Sequence, residues 1–373
     1  VTAGAAAPRV VVAGGHSAGH IEPAMNLADA LRRLAPTAEI TALGTVRGLD
    51  TVLIPERGYP LELIPPSPLP RRLDRSLLRM PGSLGESVRA AGAVLDRTRA
   101  EVVVGFGGYV AMPAYLAARQ RGLPIVVHEA NARPGVANRL AARMTEHVFT
   151  AAPGVRLPHA TPIGIPLRPA ISGLDRAALR DAARRRFRLR PDGPVLLVTG
   201  GSQGAATINA AVSGASVALR GSGVQVLHIS GPRHRVEVPG GDPPHVVVPY
   251  VDDMQYAYAA ADFALCRSGA MTCAELAAVG LPAAYVPLPL RGGEQRCNAE
   301  PLAAAGAALI VDDAELDPAW IETTLIPVLT DPGRLADMTA RAFRVGAPAA
   351  DVVLARHVLT VVAERRALAS AVG

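Results

Sequence analysis

DFALCRSGAMTCAELAAVGLPAAYVPLPLRGGEQRCN, residues 262–298, is the stretch around which the rest of the chain is read. The apolar run 263–266 has the length of a buried strand, 267–271 is a turn of small residues, and 272–279 is an alanine-rich helical segment that stops at Gly280. A second strand, 283–286, leads through PLPL into a polar loop. A turn of this kind leaves a helix N-terminus open. Its unpaired N–H groups, from Ser268 through Gly269, Ala270 and Met271 to Thr272, together with roughly half a positive charge of macrodipole, would hold a phosphate or diphosphate. Arg267 would add a full charge. Glu275, one turn further on, would repel a phosphate but accept two hydrogen bonds from a ribose diol, so a nucleotide is the natural ligand. The same Thr272-x-x-Glu275 also reads as a capping box, and the two roles are compatible. Glu294, Gln295 and Asn298 in the next loop suit sugar hydroxyls.

Outward from this stretch, 373 residues are too many for one ordinary domain and fit two of about 150 to 190 residues. Half of the residues are hydrophobic and only 3% aromatic, with Val, Leu and Ala dominant, as in parallel strands buried on both faces under helices. No apolar stretch reaches about 18 residues and the N-terminal VTAGAAAPR has no signal-peptide pattern, which predicts a cytoplasmic protein. Cys266, Cys273 and Cys297 have neither the number nor the spacing of a disulfide framework or a zinc site, and read as small hydrophobes. The net charge is +6 without a single lysine. Arginine beside abundant Ala, Gly and Pro reflects a GC-rich coding bias, so the basicity is only partly functional and no nucleic-acid partner is expected.

In chain order, 10–13 is a first strand and Gly14-Gly15-His16-Ser17-Ala18-Gly19-His20 a glycine loop opening a helix over 22–34, with Pro23 in its first turn. Two tests exclude a nicotinamide enzyme: Ala13 stands where the G-x-G-x-x-G fingerprint needs its first glycine, and the strand 39–43 ends in Gly44-Thr45 without a ribose-binding acid. His20 stands at a helix N-terminus, where the dipole disfavours imidazolium and leaves the ring either a base near neutral pH or a simple cap. Residues 65–81, PPSPLPRRLDRSLLRMP, set Arg71, Arg72, Arg75 and Arg79 beside Leu73, Leu77, Leu78 and Met80. That mixture suits an anionic membrane surface, or equally a solvated loop and helix face. Strand 102–104 precedes a second glycine loop, Gly105 to Tyr109, and strand 125–127 precedes His128-Glu129-Ala130-Asn131, polar groups at a strand's carboxyl end. Residues 153–169, with five prolines, read as a hinge. After a charged helix over 176–187, a second series begins with strand 195–198 and the loop Gly200-Gly201-Ser202-Gln203-Gly204. Strands 225–229 and 245–248 follow, then Pro249 to Met254, a segment whose backbone could face a flat base, and finally helices over 318–329 and 351–368.

GGHSAGHIEPA from Gly14, GFGGYVAMPA from Gly105, HEAN from His128, GIPLR from Gly164, GGSQGA from Gly200, CRSGAMTCAE from Cys266 and EQRCNA from Glu294 occur in this order, and with them nearly the whole chain resembles the MurG family of cell-wall glycosyltransferases. The resemblance implies two Rossmann-like α/β domains facing a cleft, the GT-B architecture. Residues 1–165, completed by a C-terminal helix over 351–373, would be the acceptor and membrane-facing domain, and 166–350 the UDP-GlcNAc domain. It further implies an inverting transfer of GlcNAc from UDP-GlcNAc to the 4-hydroxyl of undecaprenyl-diphosphate-linked MurNAc-pentapeptide. By that match Arg168, Ser202, Gly269, Ala270 and Met271 would contact the diphosphate and nucleotide. Val251 would meet uracil, Glu275 the ribose, and Glu294, Gln295 and Asn131 the sugar. Ser17, Ala18, Gly19 and Tyr109 would face the acceptor. Ala130 replaces the Gln of HEQN, Glu294 replaces a Gln or His, and His16 replaces a small residue.

His20 is assigned as the base, with Glu129 second, and leaving-group stabilisation is assigned to the helix N-terminus at Ser268 to Thr272 with Arg267 and Arg168. No D-x-D motif occurs, so no metal and no cofactor is expected. The expected location is the cytoplasmic face of the cell membrane, held peripherally at an anionic surface, with cell-wall synthesis proteins as candidate partners. A UDP-sugar 2-epimerase on a similar fold and a catalytically silent UDP-sugar-binding scaffold are the rival readings.

Overall fold

The computed structural model describes residues 6–15, 17–46, 48–66, 76–289 and 293–372, the side chains of 76–81 and 372 excepted. The chain divides into two compact units, Val1–Leu167 with Ala349–Gly373, and Arg168–Pro348.

The first unit is a seven-stranded parallel sheet made of β1 (Arg9–Gly14), β2 (Glu39–Gly44), β3 (Leu61–Leu63), β4 (Val102–Gly107), β5 (Ile125–Glu129), β6 (Val148–Thr150) and β7 (Ala160–Pro162), in the order β3-β2-β1-β4-β5-β6-β7. Its central strands are apolar throughout because both faces are covered. Val11, Ala13 and Val103 belong to one core with the helix Gly108–Gln120, while Val10, Val12, Val102 and Val104 belong to another with the helix Ala18–Leu34. The C-terminal helix Ala350–Val372 completes this second core through Leu354, Ala355, Val358, Val361 and Val362. Polar ties hold it there. Asp351 accepts from Arg33 at 2.5 Å and Glu101 accepts from Arg366 at 2.7 Å; burial would raise the Glu101 carboxyl, but Arg366 and Arg9 hold it below its ordinary range.

The second unit repeats the same winding in six parallel strands, β8 (Val195–Thr199), β9 (Gln225–Ile229), β10 (His245–Val248), β11 (Phe263–Cys266), β12 (Ala283–Tyr285) and β13 (Ala308–Ile310), ordered β10-β9-β8-β11-β12-β13. Asp262, at the entry to β11, accepts from the Val195 N–H at 2.9 Å and from Arg180 and Arg184, fastening β11 to β8 at the centre of the sheet. In each unit the strand order reverses beside the first strand, and the crevice at such a switch point is where open α/β sheets bind ligands. The switch points lie between β1 and β4 and between β8 and β11, so the three glycine loops and the small-residue turn 267–271 singled out in the sequence are the segments that border them.

Several boundaries differ from the sequence reading. The helix expected over 22–34 begins at Ala18, so Pro23 is internal and its missing N–H withdraws a hydrogen bond from the first turn. The second glycine loop is mostly strand: β4 runs on to Gly107 and a helix starts at Gly108, with a register shift against β1 at Ala13/Gly14. The helix Pro332–Val345 and strands β3 and β7 were not anticipated, and the helix expected over 318–329 contains a π turn at Ile321–Leu325. Arg71, Arg72, Leu73 and Arg75 lie outside the described residues, and of Leu77, Leu78, Arg79 and Met80 only the backbone, within the helix Ser76–Arg97, is described.

Candidate functional site

In the second unit the site is built on the helix Ala270–Ala278, which starts two residues earlier than its alanine pattern suggests. Its N-cap is Gly269, in extended conformation and with no side chain to cap the N–H groups behind it. Thr272 is therefore the third helical residue and not a cap, which overturns the capping box. Glu275 instead accepts a hydrogen bond from the Tyr258 hydroxyl at 2.6 Å. Ser268, fully buried, has an Oγ with no hydrogen-bond partner among the described residues, at the threshold of the same N-terminus. An orphaned hydroxyl beside uncapped N–H groups fits an anion whose oxygens accept from both.

Arg267 does not fit the part assigned to it. Its guanidinium donates to Asp313 Oδ1 at 2.5 Å and to the Val286 carbonyl at 3.1 Å, so its charge is neutralised beneath the loop. Asp313 also accepts from Thr207 Oγ1 at 3.1 Å, which ties the helix after the 200–204 loop to the strand end that carries Arg267. Arg168, by contrast, is exposed at the head of the unit and close enough to Tyr258 to act on it electrostatically. Ser202 is exposed on its glycine loop and Val251 is half-buried after β10.

Of the three polar residues after β12, Glu294 opens the helix Glu294–Ala304, where burial raises its carboxyl above the ordinary range. Gln295 Oε1 accepts from the Leu288 N–H at 2.9 Å, and Asn298 Nδ2 donates to the Ser268 carbonyl at 3.3 Å. These amides hold Leu288 and the 267–269 turn to one helix start. No group of three His, Cys, Asp or Glu that could hold a metal ion occurs among the described residues.

In the first unit, Ser17, Ala18, Gly19 and His20 form the start of the helix Ala18–Leu34. Ser17 is the N-cap, yet its Oγ lies 3.1 Å from His20 Nδ1 and makes no capping bond to a backbone N–H. When Nδ1 carries the proton and Ser17 accepts it, Nε2 is left with its lone pair, the tautomer a base needs. Gly107 and Gly108, at φ of 88° and 79°, come close under this ring; a β-carbon on Gly107 would lie 3.4 Å from His20 Nε2, and one on Gly108 would lie 2.8 Å from the Gly15 carbonyl oxygen. Tyr109 follows directly, half-buried at the start of its helix.

Glu129 and Asn131 come together at the end of β5, but not as an open base. Glu129 is 2% exposed. It accepts from the N–H groups of Asn131 at 2.9 Å and Gly135 at 3.0 Å, and from Asn138 Nδ2 at 2.9 Å. Burial raises its carboxyl above the ordinary range, against these bonds. Both oxygens are occupied by the loop they shape. Asn138 is oriented in turn by the Tyr115 hydroxyl, which donates to its Oδ1 at 2.8 Å. His128 donates from Nε2 to the Gly164 carbonyl, with the heavy atoms 2.8 Å apart; burial lowers its pKa to about 4, so the ring is neutral and structural.

Family models match both units: the glycosyltransferase family 28 N-terminal domain over residues 10–150 and the C-terminal domain over 195–353. A relative from Streptomyces avermitilis, named UDP-N-acetylglucosamine--N-acetylmuramyl-(pentapeptide) pyrophosphoryl-undecaprenol N-acetylglucosamine transferase, is 55% identical over 95% of this chain and 99% of its own. One of the same name from Rhodococcus opacus is 54% identical over 96% and 97%. The crystal structure of Acinetobacter baumannii MurG superposes with a TM-score of 0.78 at 26% identity, covering 95% of this chain and all of the other.

The chain belongs to the MurG family.

Six of its family segments start at or beside the carboxyl end of a strand or straddle the join between the units, and the seventh opens the helix Glu294–Ala304. Sequence reasoning missed the residues that hold these elements from behind, namely Tyr115, Asn138, Tyr258 and Asp313. It also missed Asp50, fully buried, whose Oδ1 would lie 2.6 Å from a β-carbon on Gly15 and so walls the first glycine loop. Each is far in sequence from its partner, and no local spacing announces it.

Proposed function

We infer that the chain is an inverting N-acetylglucosaminyltransferase of peptidoglycan synthesis, moving GlcNAc from UDP-GlcNAc to the 4-hydroxyl of undecaprenyl-diphosphate-linked MurNAc-pentapeptide and so converting lipid I to lipid II. The observation that carries this is kinship at 55% identity over 95% of the chain with a transferase of that name. The acceptor O–H gives its proton to His20 Nε2, its oxygen attacks C1 of the α-linked sugar from the face opposite the phosphate, and the C1–O bond pair leaves with UDP. A base at neutral pH and a stabilised leaving group are what the reaction needs from the protein. His20 with Ser17 supports the first role. The N–H groups of the Ala270–Ala278 helix, Ser268 Oγ and Arg168 support the second. Glu275 takes the ribose, the Val251 backbone the uracil, and Glu294, Gln295 and Asn131 the sugar. Glu129 serves by shaping the Asn131 loop. Ser17, Ala18, Gly19 and Tyr109 face the acceptor.

The acceptor named for the relatives is linked to undecaprenol, a chain that stays in the bilayer, which supports a peripheral attachment of the enzyme to the membrane, and we assign it to the cytoplasmic face as part of the same proposal. By length and composition the helical stretch Pro332–Ala371 could cross a membrane, but Leu354, Ala355, Val358, Val361 and Val362 within it are core residues of the first unit. Attachment through the basic and apolar residues of 71–80 is the reading we favour. The deciding experiment offers purified protein UDP-GlcNAc with a short-chain lipid acceptor and follows the disaccharide and UDP. Glu275→Ala should weaken UDP binding by about 1.5 to 3 kcal/mol, the worth of hydrogen bonds to a charged group. UDP release without disaccharide would refute the transfer, and equal binding by the mutant would remove Glu275 from the nucleotide site.

A further inference from the structure

His228, on β9, is fully buried, and its ring lies between two polar partners whose own bonds fix where its proton sits. Asn209, on the helix Ala206–Gly214, donates from Nδ2 to the Ser230 carbonyl at 2.9 Å, so its Oδ1 is the atom 3.0 Å from His228 Nε2 and can only accept. Nε2 therefore carries the proton. Nδ1 is left with a lone pair 3.2 Å from Nε2 of His245, on β10, which must donate, and His245 Nδ1 in turn accepts from the Ser216 hydroxyl at 3.0 Å. Burial, with His245 second, lowers the pKa of His228 to about 3, and burial, with Arg220 second, lowers that of His245 to about 4, so both rings are neutral at working pH. The protons from Ser216 to Ser230 then have a single order.

The far end of this chain is the floor of the glycine loop 200–204. A β-carbon on Gly204 would lie 2.3 Å from the Ser230 carbonyl oxygen, and one on Gly231 would lie 2.8 Å from the Gln203 carbonyl oxygen, so the loop rests on 230–231 backbone to backbone. Arg233, just beyond, donates to Gln203 Oε1. We propose that His228 is a positioning residue for the donor: held in its Nε2–H tautomer by His245 and Ser216, it orients the Asn209 amide that fixes Ser230, and with it the loop that carries Ser202. In the other tautomer the ring would turn a lone pair towards Asn209 Oδ1, the amide would flip, and its oxygen would meet the Ser230 carbonyl with no proton between them. The inference rests on the assignment of Ser202 to the diphosphate, and it predicts an effect on the phosphates alone, leaving the nucleoside contacts unchanged.

Histidine-selective nitrogen NMR of the whole protein reads the tautomers directly: His228 and His245 should each be protonated at Nε2 alone at neutral pH, and a proton on His228 Nδ1 would overturn the proposal. UDP and uridine are titrated by calorimetry into the parent, His228→Leu, His228→Gln and Ser202→Asp proteins, with melting temperature as the check on folding. His228→Leu should weaken UDP about 3- to 10-fold, the worth of one hydrogen bond, and move uridine less than about twofold. His228→Gln, whose amide again offers Asn209 an N–H, should bind UDP within about twofold of the parent. KM for UDP-GlcNAc should follow the UDP affinity while kcat stays within about twofold. If His228→Leu and His228→Gln bind UDP alike, the ring only packs and the proposal falls. Should His228→Leu not fold, the tautomer and the affinity of His228→Gln decide. Ser202→Asp sets a carboxylate beside the phosphates and should weaken UDP more than about tenfold with uridine unmoved. If it leaves UDP unmoved as well, the assignment of Ser202 fails first, and the two failures are distinct.

Discussion

Ser17→Ala tests whether the Ser17–His20 contact is part of the chemistry. The contact is 3.1 Å long and half-buried, and one such hydrogen bond contributes about 0.5 to 1.5 kcal/mol, so its loss should lower kcat about 2- to 12-fold by letting the imidazole sample the wrong tautomer and rotamer. His20→Ala removes the base and should cost roughly 10² to 10⁴-fold while leaving UDP affinity nearly intact. The informative protein is the double mutant. If Ser17 acts only through the ring, there is nothing left to orient, and Ser17→Ala should cost nothing further in the His20→Ala background; the coupling energy then equals the whole single-mutant effect. The assay follows disaccharide formation from UDP-GlcNAc and a short-chain acceptor at saturating concentrations of both. If Ser17→Ala costs the same factor in both backgrounds, the hydroxyl contacts substrate directly. If His20→Ala keeps turnover within threefold of the parent, the base lies elsewhere.

Glu129→Gln would set its one amide NH2 either against the Asn131 N–H or against the Gly135 N–H and Asn138 Nδ2, and should lower stability by about 1 to 3 kcal/mol in denaturant titration; lost turnover at unchanged stability would return the carboxylate to a direct chemical role. Burial holds the pKa of His128 near 4, His228 near 3 and His245 near 4. The unfolded chain, with pKa values of about 6.5, therefore binds protons the folded chain refuses, and stability should fall as pH drops from about 6.5 towards 4. A flat melting temperature over that window would contradict the burial of these rings. Reversing Arg72, Arg75 and Arg79 to Glu should abolish sedimentation with anionic vesicles while activity on a water-soluble acceptor persists, since each arginine near such a surface contributes roughly 1 kcal/mol. Sedimentation equal to the parent's would move membrane docking to another surface.

The parts of the fold legible in the sequence are those whose cause is local. Apolar runs of four residues followed by small residues or a glycine-containing turn mark β1, β8 and β11 because a strand buried on both faces has no polar side to confuse it, and the turn at its end demands small residues. The helix starts at Ala18 and Ala270 were each read late because the first turn follows directly on a small-residue turn, with Gly19 and His20 in one helix and Ala270 and Met271 in the other adding no apolar periodicity to mark the start. Gly105 to Gly107 misled in the other direction. Glycine pairs in a ladder as well as it turns, and here the ladder to Gly14 wins. Partnerships made by the tertiary fold were invisible. Tyr258 and Glu275 are 17 residues apart on different helices, and Arg267 and Asp313 are 46 apart.

That last pair changes how the leaving group is handled. An arginine next to a phosphate loop looks, in sequence, like the cation that draws the diphosphate away. With Asp313 2.5 Å from it, Arg267 brings no net charge, and its bond to the Val286 carbonyl directs it to the strand ends beneath the loop. In the reading proposed above, the anion is held by oriented neutral dipoles, the N–H groups at Ala270 to Thr272 and the Ser268 hydroxyl, with Arg168 as the charged partner. Fixed dipoles need little reorganisation when charge develops on the departing oxygen, and a partly buried helix terminus contributes up to about 2 kcal/mol to an anion. A second guanidinium directed at the anion would add attraction for the substrate diphosphate and the product UDP alike, deepening both wells without lowering the barrier between them. On the proposed assignment, pairing Arg267 with Asp313 is therefore expected to leave a site that stabilises the leaving group and still releases it.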